Sequence, residues 1–417
     1  MVTTQISNGN SATARRSVGG SPLRLVTFRN GASTGLLLAL VLSGYPLAGY
    51  LTDVIAIQGN MLSVVFRVAM VVLSLYVTAV YFDGRKLFGA WVVLLLFWWL
   101  LYAIRLCMDF LVGEPLGAGR ALLFYGMVVV APSFALLFSD RKHLDRTVGP
   151  AVFWVSALVV CAALVFQYSG LLGSRSLMAL TGRLSSYSVN SITLGHIASS
   201  LIIAVLATSW LRGKVWIGLK LAGVGAGLVC IVLSASKGAF LALLMSLVFL
   251  VAVKVRSGKV ATLLFLTSVA VLAVVVDWDY RDLPLWERVV NMRSDASTTI
   301  RLQLYADAYQ QFLDNPVLGS AYVERNSGTY PHNLILESFM SLGIVGGVLF
   351  IILNIAGMNR SWKCAMQGRV LLPMLYVQAF TSSLFSGALY AHAPLWAMLA
   401  IILSPALPAS ASVRETT

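Results

Sequence analysis

The chain changes character at residues 330–351, which read YPHNLILESFMSLGIVGGVLFI. Polar residues give way after Asn333 to a run long enough to cross a bilayer, since about 20 apolar residues span the hydrocarbon core. Working outward, the rest of the chain is a series of apolar runs with short polar breaks. The one long polar segment, residues 277–331, comes directly before this run. The pattern predicts a polytopic membrane protein with polar groups at the mouth of one helix.

Composition indicates the same class. The 417 residues are 59% hydrophobic and 11% charged, and the mean hydropathy is +0.84, which is more apolar than a soluble domain of this size. Because the apolar runs are continuous rather than alternating, we expect helical spans. We therefore predict an all-α polytopic membrane protein with about 12 transmembrane helices, at roughly residues 34–51, 61–82, 87–104, 121–139, 149–167, 191–211, 215–233, 238–253, 260–276, 332–357, 370–388 and 393–408.

The basic residues set the predicted orientation. With a cytoplasmic N-terminus, the cytoplasmic breaks hold 18 of the 30 Lys and Arg but only 4 of the 16 Asp and Glu, as the positive-inside rule requires. Both termini are then cytoplasmic, with tails at 1–33 and 409–417 around a single membrane domain at 34–408. Residues 277–331 form a large outer loop between helices 9 and 10. Topology accounts for the net charge of +14 without a nucleic-acid partner.

The outer loop is predicted to contain a short amphipathic helix. An Asn-Pro pair at 315–316 ends it, and Arg301 lies in its first turn. We expect its apolar side to lie on the protein or on the membrane surface. Helical spacing brings together an apolar stripe of Tyr305, Ala308, Tyr309 and Phe312.

The mouth of the following span is the main candidate site. Pro331 is predicted to occupy the first turn of this helix, where its missing N–H costs nothing. His332 and Asn333 then lie at a helix N-terminus, where free N–H groups and the helix dipole favour an anion. Glu337 lies four residues from Asn333, on the same helix face. A single histidine is more often structural than catalytic, but its place beside an Arg-rich loop and above an intramembrane carboxylate favours function.

Cations are concentrated in the predicted outer segments. Guanidinium groups hold phosphate oxygens in pairs, so this set suits an anionic ligand such as a phosphate. Two alternatives stay open. Arg288 and Arg293 could be solvated charges paired with Glu287 and Asp295. Lys237 could be a side chain that extends to the membrane interface. The basic residues concerned are Arg183, Lys237, Arg288, Arg293 and Arg301.

In order and spacing, these motifs resemble those of the O-antigen ligase and Wzy-type polymerase superfamily. The resemblance covers roughly residues 180–350, and this chain departs from it at Lys237, where arginine is usual. The motifs, in chain order, are GRLSSYSVNSITLG at 182–195, SASKGA at 234–239, STTIR at 297–301, NPVLG at 315–319 and HNLILESFMSLGIVG at 332–346.

The resemblance implies a multi-pass glycan transferase of the bacterial inner membrane. Such a protein moves an oligo- or polysaccharide from undecaprenyl diphosphate to an acceptor sugar on the periplasmic side, with inversion at the anomeric carbon. The acceptor is lipid A-core for an O-antigen ligase and a growing glycan for a lipopolysaccharide or exopolysaccharide polymerase, and this choice stays open. No cofactor and no metal are expected, and the remaining partner is membrane lipid.

The resemblance also implies residue roles. Arg183, Arg301 and His332 would hold the diphosphate, with Lys237 as a further contact, because positioned cations stabilise the charge that develops on a leaving group. His332 or Glu337 would be the general base for the acceptor hydroxyl, and this assignment stays open. The candidate supporting residues are Asn333, Arg288 and Arg293.

A 12-helix secondary transporter is the alternative function. Major-facilitator transporters have a long cytoplasmic loop midway and a basic motif between spans two and three. Here the longest loop is predicted to be outer, between helices 9 and 10, and residues 83–86 read DGRK without that motif. These differences favour the transferase.

Overall fold

The computed structural model describes residues 23–55, 61–113, 115, 117–139, 141–207, 214–255 and 296–405. In this part of the chain the secondary structure is helical, and one isolated β-bridge pairs Ser176 with Ser186. The all-α class predicted from the sequence is confirmed. The described helices begin, in chain order, with α1 (Leu23–Ser43), α2 (Tyr45–Val54), α3 (Met61–Tyr81), α4 (Ala90–Val112), α5 (Ala118–Phe124), α6 (Ala131–Leu137), α7 (Arg141–Tyr168) and α8 (Met178–Thr181).

A π-helical turn at Tyr125–Val130 joins α5 to α6 as one span. Short 3₁₀ turns at Gly84–Phe88 and Gly173–Arg175 lie in loops. The described helices continue with α9 (Ser191–Ala207), α10 (Lys214–Ser234), α11 (Lys237–Val255), α12 (Ala296–Asp314), α13 (Leu334–Met366), α14 (Leu371–Ser383) and α15 (Ala393–Leu403).

The described residues include seven helical segments that are long and apolar enough to cross a membrane. An eighth is formed if α1 and α2, which meet at a bend of 60°, count as one span. The predicted span at 260–276 lies outside the described residues. Those predicted at 191–211, 370–388 and 393–408 correspond to the shorter helices α9, α14 and α15, of 17, 13 and 11 residues. The multi-span helical class is confirmed, and the count of 12 stays a prediction.

The short helices lie in the centre of the bundle. Every residue of α15 except Pro394 is buried, as expected for a helix that is apolar on all sides. Trp396 of α15 packs on Trp98 of α4 with ring centroids 4.5 Å apart, and Phe350 of α13 contacts both rings at 5.7 Å. This aromatic core fixes α4, α13 and α15 relative to one another.

The long helix α13 is broken at Gly343, whose backbone (φ 63°, ψ −161°) is not helical. That conformation is essentially restricted to glycine. The break frees the Met340 carbonyl and the Ile344 N–H from the helix ladder. The loop after α12 takes up both, because Ser320 N–H donates to Met340 O at 3.0 Å and Ile344 N–H donates to Pro316 O at 2.8 Å. Hydropathy and motif spacing did not predict this break.

Helix α12 is held on α13 by this contact and by the ring pair Phe312–Phe339, 5.4 Å apart. The sequence predicted a helix here, and within its apolar stripe Ala308 is buried whereas Tyr309 is 54% exposed. Leu304 and Gln311 are also buried among the described side chains of α12.

One end of the bundle, called the loop end below, consists of residues 169–190, 234–236, 315–333 and 384–392. Leu184 N–H donates to Leu233 O at 2.7 Å, which joins the first two of these segments. Arg105 at the end of α4 donates to Ser320 O at 2.6 Å, which ties the third to the bundle. These loops were predicted to be outer.

Loops predicted to be cytoplasmic contact one another at the opposite end. Lys86 donates to Phe138 O at 2.9 Å, and the Ser404 hydroxyl donates to Leu137 O at 2.7 Å. These contacts join the ends of α4, α6 and α15 away from the loop end, and the predicted grouping of loops stays a prediction. Which end faces the cytoplasm stays a prediction.

Candidate active site

Two of the predicted cationic residues meet across neighbouring helices. The turn between α10 and α11 places Lys237 as the first residue of α11. Arg183 approaches the same turn, and its Nε donates to the Ser234 carbonyl at 3.0 Å. Gly195 of α9 makes this approach possible, since a Cβ there would lie 2.9 Å from the Ser234 hydroxyl. The structure thus brings together the first two motifs of the resemblance.

Arg301 reaches the same end of the bundle from α12. Its Nη1 donates to the Phe385 carbonyl at 2.7 Å. Phe385 also borders the 234–238 turn, because a Cβ on Gly238 would lie 3.4 Å from the Phe385 Cβ. The segment 384–392 therefore links Arg301 to the turn that carries Lys237. From the sequence, Tyr390 and His392 of this segment were minor candidates, but its contact with Arg301 was not predicted.

His332 lies at the mouth of α13 in a strained backbone conformation, with φ at 59°. Its ring packs edge-on against Tyr330, with centroids 4.5 Å apart. Burial lowers the pKa of His332 to about 4, and the positive charge of Arg301 adds to the lowering. The imidazole is therefore neutral at pH 7, and its Nδ1 has no hydrogen-bond partner within the described part of the chain.

Backbone strain coincides with this site. In the described residues, the non-glycine residues with positive φ are His332 and Ala235, at 59° and 46°. Ala235 lies in the turn that precedes Lys237. Such conformations cost about 1–3 kcal/mol each and cluster at functional sites. The two strained residues belong to motifs far apart in sequence, so their shared location supports a functional site here.

The helix mouth differs from the prediction at Pro331. Helix α13 begins at Leu334, with Asn333 as its N-cap, so Pro331 lies before the helix and not in its first turn. The Asn333 side-chain oxygen accepts the N–H groups of Ile335 and Leu336, both at 3.1 Å. The cap therefore takes up two of the N–H groups of the first turn, and anion binding at this mouth stays a prediction. Asn333 shapes the mouth as a cap.

Glu337 is completely buried. Its Oε1 accepts the Leu389 N–H at 3.0 Å and the Tyr102 hydroxyl at 3.4 Å. Its Oε2 is buried and has no partner in the described part of the chain, and complete burial of the carboxylate argues against direct contact with an acceptor hydroxyl. Glu337 holds the 384–392 segment, which also contacts Arg301, against α13.

The remaining predicted residues are not brought into the described site. Arg288 and Arg293 lie outside the described residues. No group of three or more His, Cys, Asp or Glu in the described ranges could hold a metal ion. The described candidates for binding and catalysis are therefore three cations and one neutral imidazole, namely Arg183, Lys237, Arg301 and His332.

A cavity of about 540 Å³ opens beside this site, between α1, α3, α9 and α14. Its wall includes Ser386 and Gly387, which directly follow the Phe385 that Arg301 holds. Arg183, Lys237, Arg301 and His332 do not line it. Sequence reasoning missed this cavity, although an arginine inside an apolar run, Arg67 in α3, was a signal for it.

The arrangement can stabilise an anion and accept a proton. Cations that are held by backbone carbonyls are positioned before a ligand arrives, so little reorganisation is needed when negative charge develops. A neutral imidazole with an unpartnered nitrogen can accept a proton at neutral pH. Both functions lie at one end of the bundle.

Comparison with known proteins agrees with the motifs. Residues 222–351 match the family model described as O-antigen ligase. The match covers less than half of the chain, and it includes Lys237, Arg301 and His332 but not Arg183. No curated protein matches the chain. The resemblance to the O-antigen ligase superfamily is confirmed over this segment, and it indicates a membrane protein with glycosyl-transfer activity of the ligase or polymerase type.

Proposed function

We propose that this protein transfers a glycan from a polyprenyl diphosphate, of the undecaprenyl type, to an acceptor sugar hydroxyl. The observation that carries the proposal is that Arg183, Lys237, Arg301 and the neutral His332 all lie at the loop end. The family match over 222–351 supports the same chemistry. The positive-inside charge pattern supports a periplasmic location for this end.

The cations serve the leaving group. When the bond between the anomeric carbon and the diphosphate oxygen breaks, negative charge develops on the diphosphate. Arg183 and Arg301 each donate to a backbone carbonyl, which holds the guanidinium in place, and a guanidinium carries five N–H donors in a fork that matches phosphate oxygens. Lys237 supplies a further positive charge. The leaving group then departs as a stabilised anion, and neither a metal nor a cofactor is required by the proposal.

His332 serves the acceptor. We assign it as the general base, because burial and Arg301 keep its imidazole neutral at pH 7. It takes the proton of the acceptor hydroxyl as that oxygen attacks the anomeric carbon from the side opposite the diphosphate. Direct displacement inverts the configuration at this carbon. Glu337 acts at a distance by holding the 384–392 segment through Leu389.

The proposal is tested by deleting the gene and examining the surface glycans on a gel. Loss of polymer with single repeat units left behind indicates a polymerase, and full-length polymer retained on the lipid carrier indicates a ligase. Loss of a secreted polymer with unchanged lipopolysaccharide indicates an exopolysaccharide polymerase. Unchanged glycans together with uptake of a solute that requires the protein would overturn the proposal and favour a transporter.

A further inference from the structure

A second group of cations lies in the 540 Å³ cavity, apart from the candidate active site. Arg67 of α3 and Arg120 of α5 contribute to its wall. The described residues that line the cavity include no Asp or Glu, so the positive charges face a wall without acidic partners. Neither arginine has a role in the transfer reaction proposed above.

Arg67 lies in the first two turns of the membrane helix α3. Its Nη2 donates to the Ser63 hydroxyl at 3.3 Å, and its guanidinium carbon lies 4.0 Å from the ring centroid of Phe124 and 5.8 Å from that of Tyr45. These contacts orient the guanidinium but leave its charge without a counter-ion among the described residues. A charge inside a membrane segment is costly, and its default interpretation is functional.

Arg120 shares an aromatic partner with Arg67. Its guanidinium carbon lies 5.8 Å from the same Phe124 ring, and the side chain is exposed. Both guanidinium groups therefore lie within 5.8 Å of one ring in the cavity wall. Such a pair matches a ligand that carries more than one negative oxygen, as a phosphate or diphosphate does.

The facing wall provides hydrogen-bonding groups. The Ser382 hydroxyl lies 3.1 Å from His196 Nε2 and 3.3 Å from His392 Nε2. The other ring nitrogen of His196, Nδ1, is buried and has no partner in the described part of the chain. Ser200 and Gln378 line the same wall. Buried polar atoms are normally paired, so an unpaired one beside a cavity points to a polar ligand.

The remaining wall is apolar. Side chains such as Leu40, Phe66, Met70 and Met127 line it, and they suit a hydrocarbon chain. A cavity with cations, hydrogen-bonding groups and an apolar wall fits an anionic lipid head group better than a free phosphate ion.

A series of packed aromatic rings connects the cavity wall to the candidate active site. The ring of Tyr390 lies 6.5 Å from that of Phe124 and 6.1 Å from that of Tyr330, which in turn packs on His332. Two packed rings, those of Tyr390 and Tyr330, therefore lie between the cavity-lining Phe124 and the proposed general base.

We propose that this cavity is a second head-group subsite, in which Arg67 and Arg120 hold the phosphate of the lipid-linked acceptor while Arg183 and Arg301 hold the donor diphosphate. The inference rests on the proposed transfer function. The shared chemistry is a lipid-borne phosphate, and it has two sources. One is a polyprenyl diphosphate that carries a glycan, and the other is the phosphorylated lipid A of a lipid A-core acceptor.

The test counts bound lipids on the full-length protein in nanodiscs, with undecaprenyl diphosphate and bisphosphorylated lipid A as separate probes. If the wild type binds a second equivalent of undecaprenyl diphosphate, and the double variant Arg67→Gln/Arg120→Gln lowers the affinity for it about tenfold or more, the acceptor is carried on a polyprenyl lipid. The same effect on lipid A binding identifies a lipid A-core acceptor. Arg325→Gln, an exposed arginine of the loop end, should change neither.

The two proposals fail in different ways. If the double variant binds both probes as the wild type does, the second subsite is refuted, whatever the effect of Arg301→Gln. If Arg301→Gln leaves donor binding unchanged, the donor site is refuted, and the dependence on Arg67 and Arg120 still decides the second subsite. Substitution of an intramembrane arginine by glutamine lowers the cost of burial, so loss of folding is not expected.

Discussion

Gly343→Ala should disable the protein although Gly343 touches none of the proposed reacting groups. The break at this residue allows the loop after α12 to bond to α13, and that loop positions the helix that carries Arg301. A Cβ at position 343 would overlap the backbone of Val317 and Leu318. The substitution should therefore separate the loop from α13 and move Arg301 away from Phe385.

The expected magnitude follows from two contributions. The backbone conformation at Gly343 is strained for alanine by about 1–3 kcal/mol. Overlap with a packed backbone adds about 1–3 kcal/mol. The contact is then weakened by about 2–6 kcal/mol, which corresponds to a roughly 30-fold or greater increase in local opening.

Hydrogen exchange measured by mass spectrometry tests this directly. Peptides that contain Ser320 and Ile344 should lose protection by this factor, and glycan transfer should fall in parallel. Gly328→Ala is the matched control, because Gly328 also has positive φ, at 67°, but a Cβ there meets nothing within 4 Å. It should cost about 1–2 kcal/mol of local strain without affecting either peptide. Wild-type protection and activity in Gly343→Ala would refute the reasoning.

Three further predictions concern the site itself. The acid limb of kcat/KM should have its midpoint near pH 4 and not at about 6.5. Activity requires neutral His332, so it is lost as the pH falls through the lowered pKa of this residue. A midpoint at about 6.5 in a pH–rate profile would contradict this. Glu337→Gln should keep most of the activity because an amide oxygen can still accept from Leu389, whereas Glu337→Ala should lose it; equal loss in both would restore a chemical role for the carboxylate. Lys237→Arg should lower the donor KM by roughly 3- to 10-fold through bidentate contact, and an unchanged KM would remove this residue from the donor site.

The sequence predicted the membrane class because continuous apolar runs and the distribution of charge are properties of single segments. It also predicted the helix before 315–316, since Asn-Pro is a local signal. It did not predict that Leu304 and Gln311 are buried while Tyr309 is exposed, because the buried face depends on where the loop docks on α13. Docking depends in turn on the break at Gly343, which hydropathy does not show.

The site was predicted in part for the same reason. Arg183, Arg301 and His332 could be named from motifs whose order matches a family, and the structure brings their segments to one end. The buried position of Glu337 could not be predicted, because it requires knowledge that Leu389 and Tyr102 face the same carboxylate. The partnership of Arg67 with Phe124 likewise joins residues from separate spans.

The central claim is that Arg301 stabilises a departing lipid diphosphate. Its most direct test is the release of undecaprenyl diphosphate from a glycan-loaded donor by protein reconstituted in vesicles, compared for wild type, Arg301→Gln and the exposed control Arg325→Gln. We predict that Arg301→Gln lowers the rate by about 100-fold or more, as removal of a positioned charge-stabilising donor does, while Arg325→Gln retains the wild-type rate. Release by Arg301→Gln at the wild-type rate, in correctly inserted protein, would contradict the account.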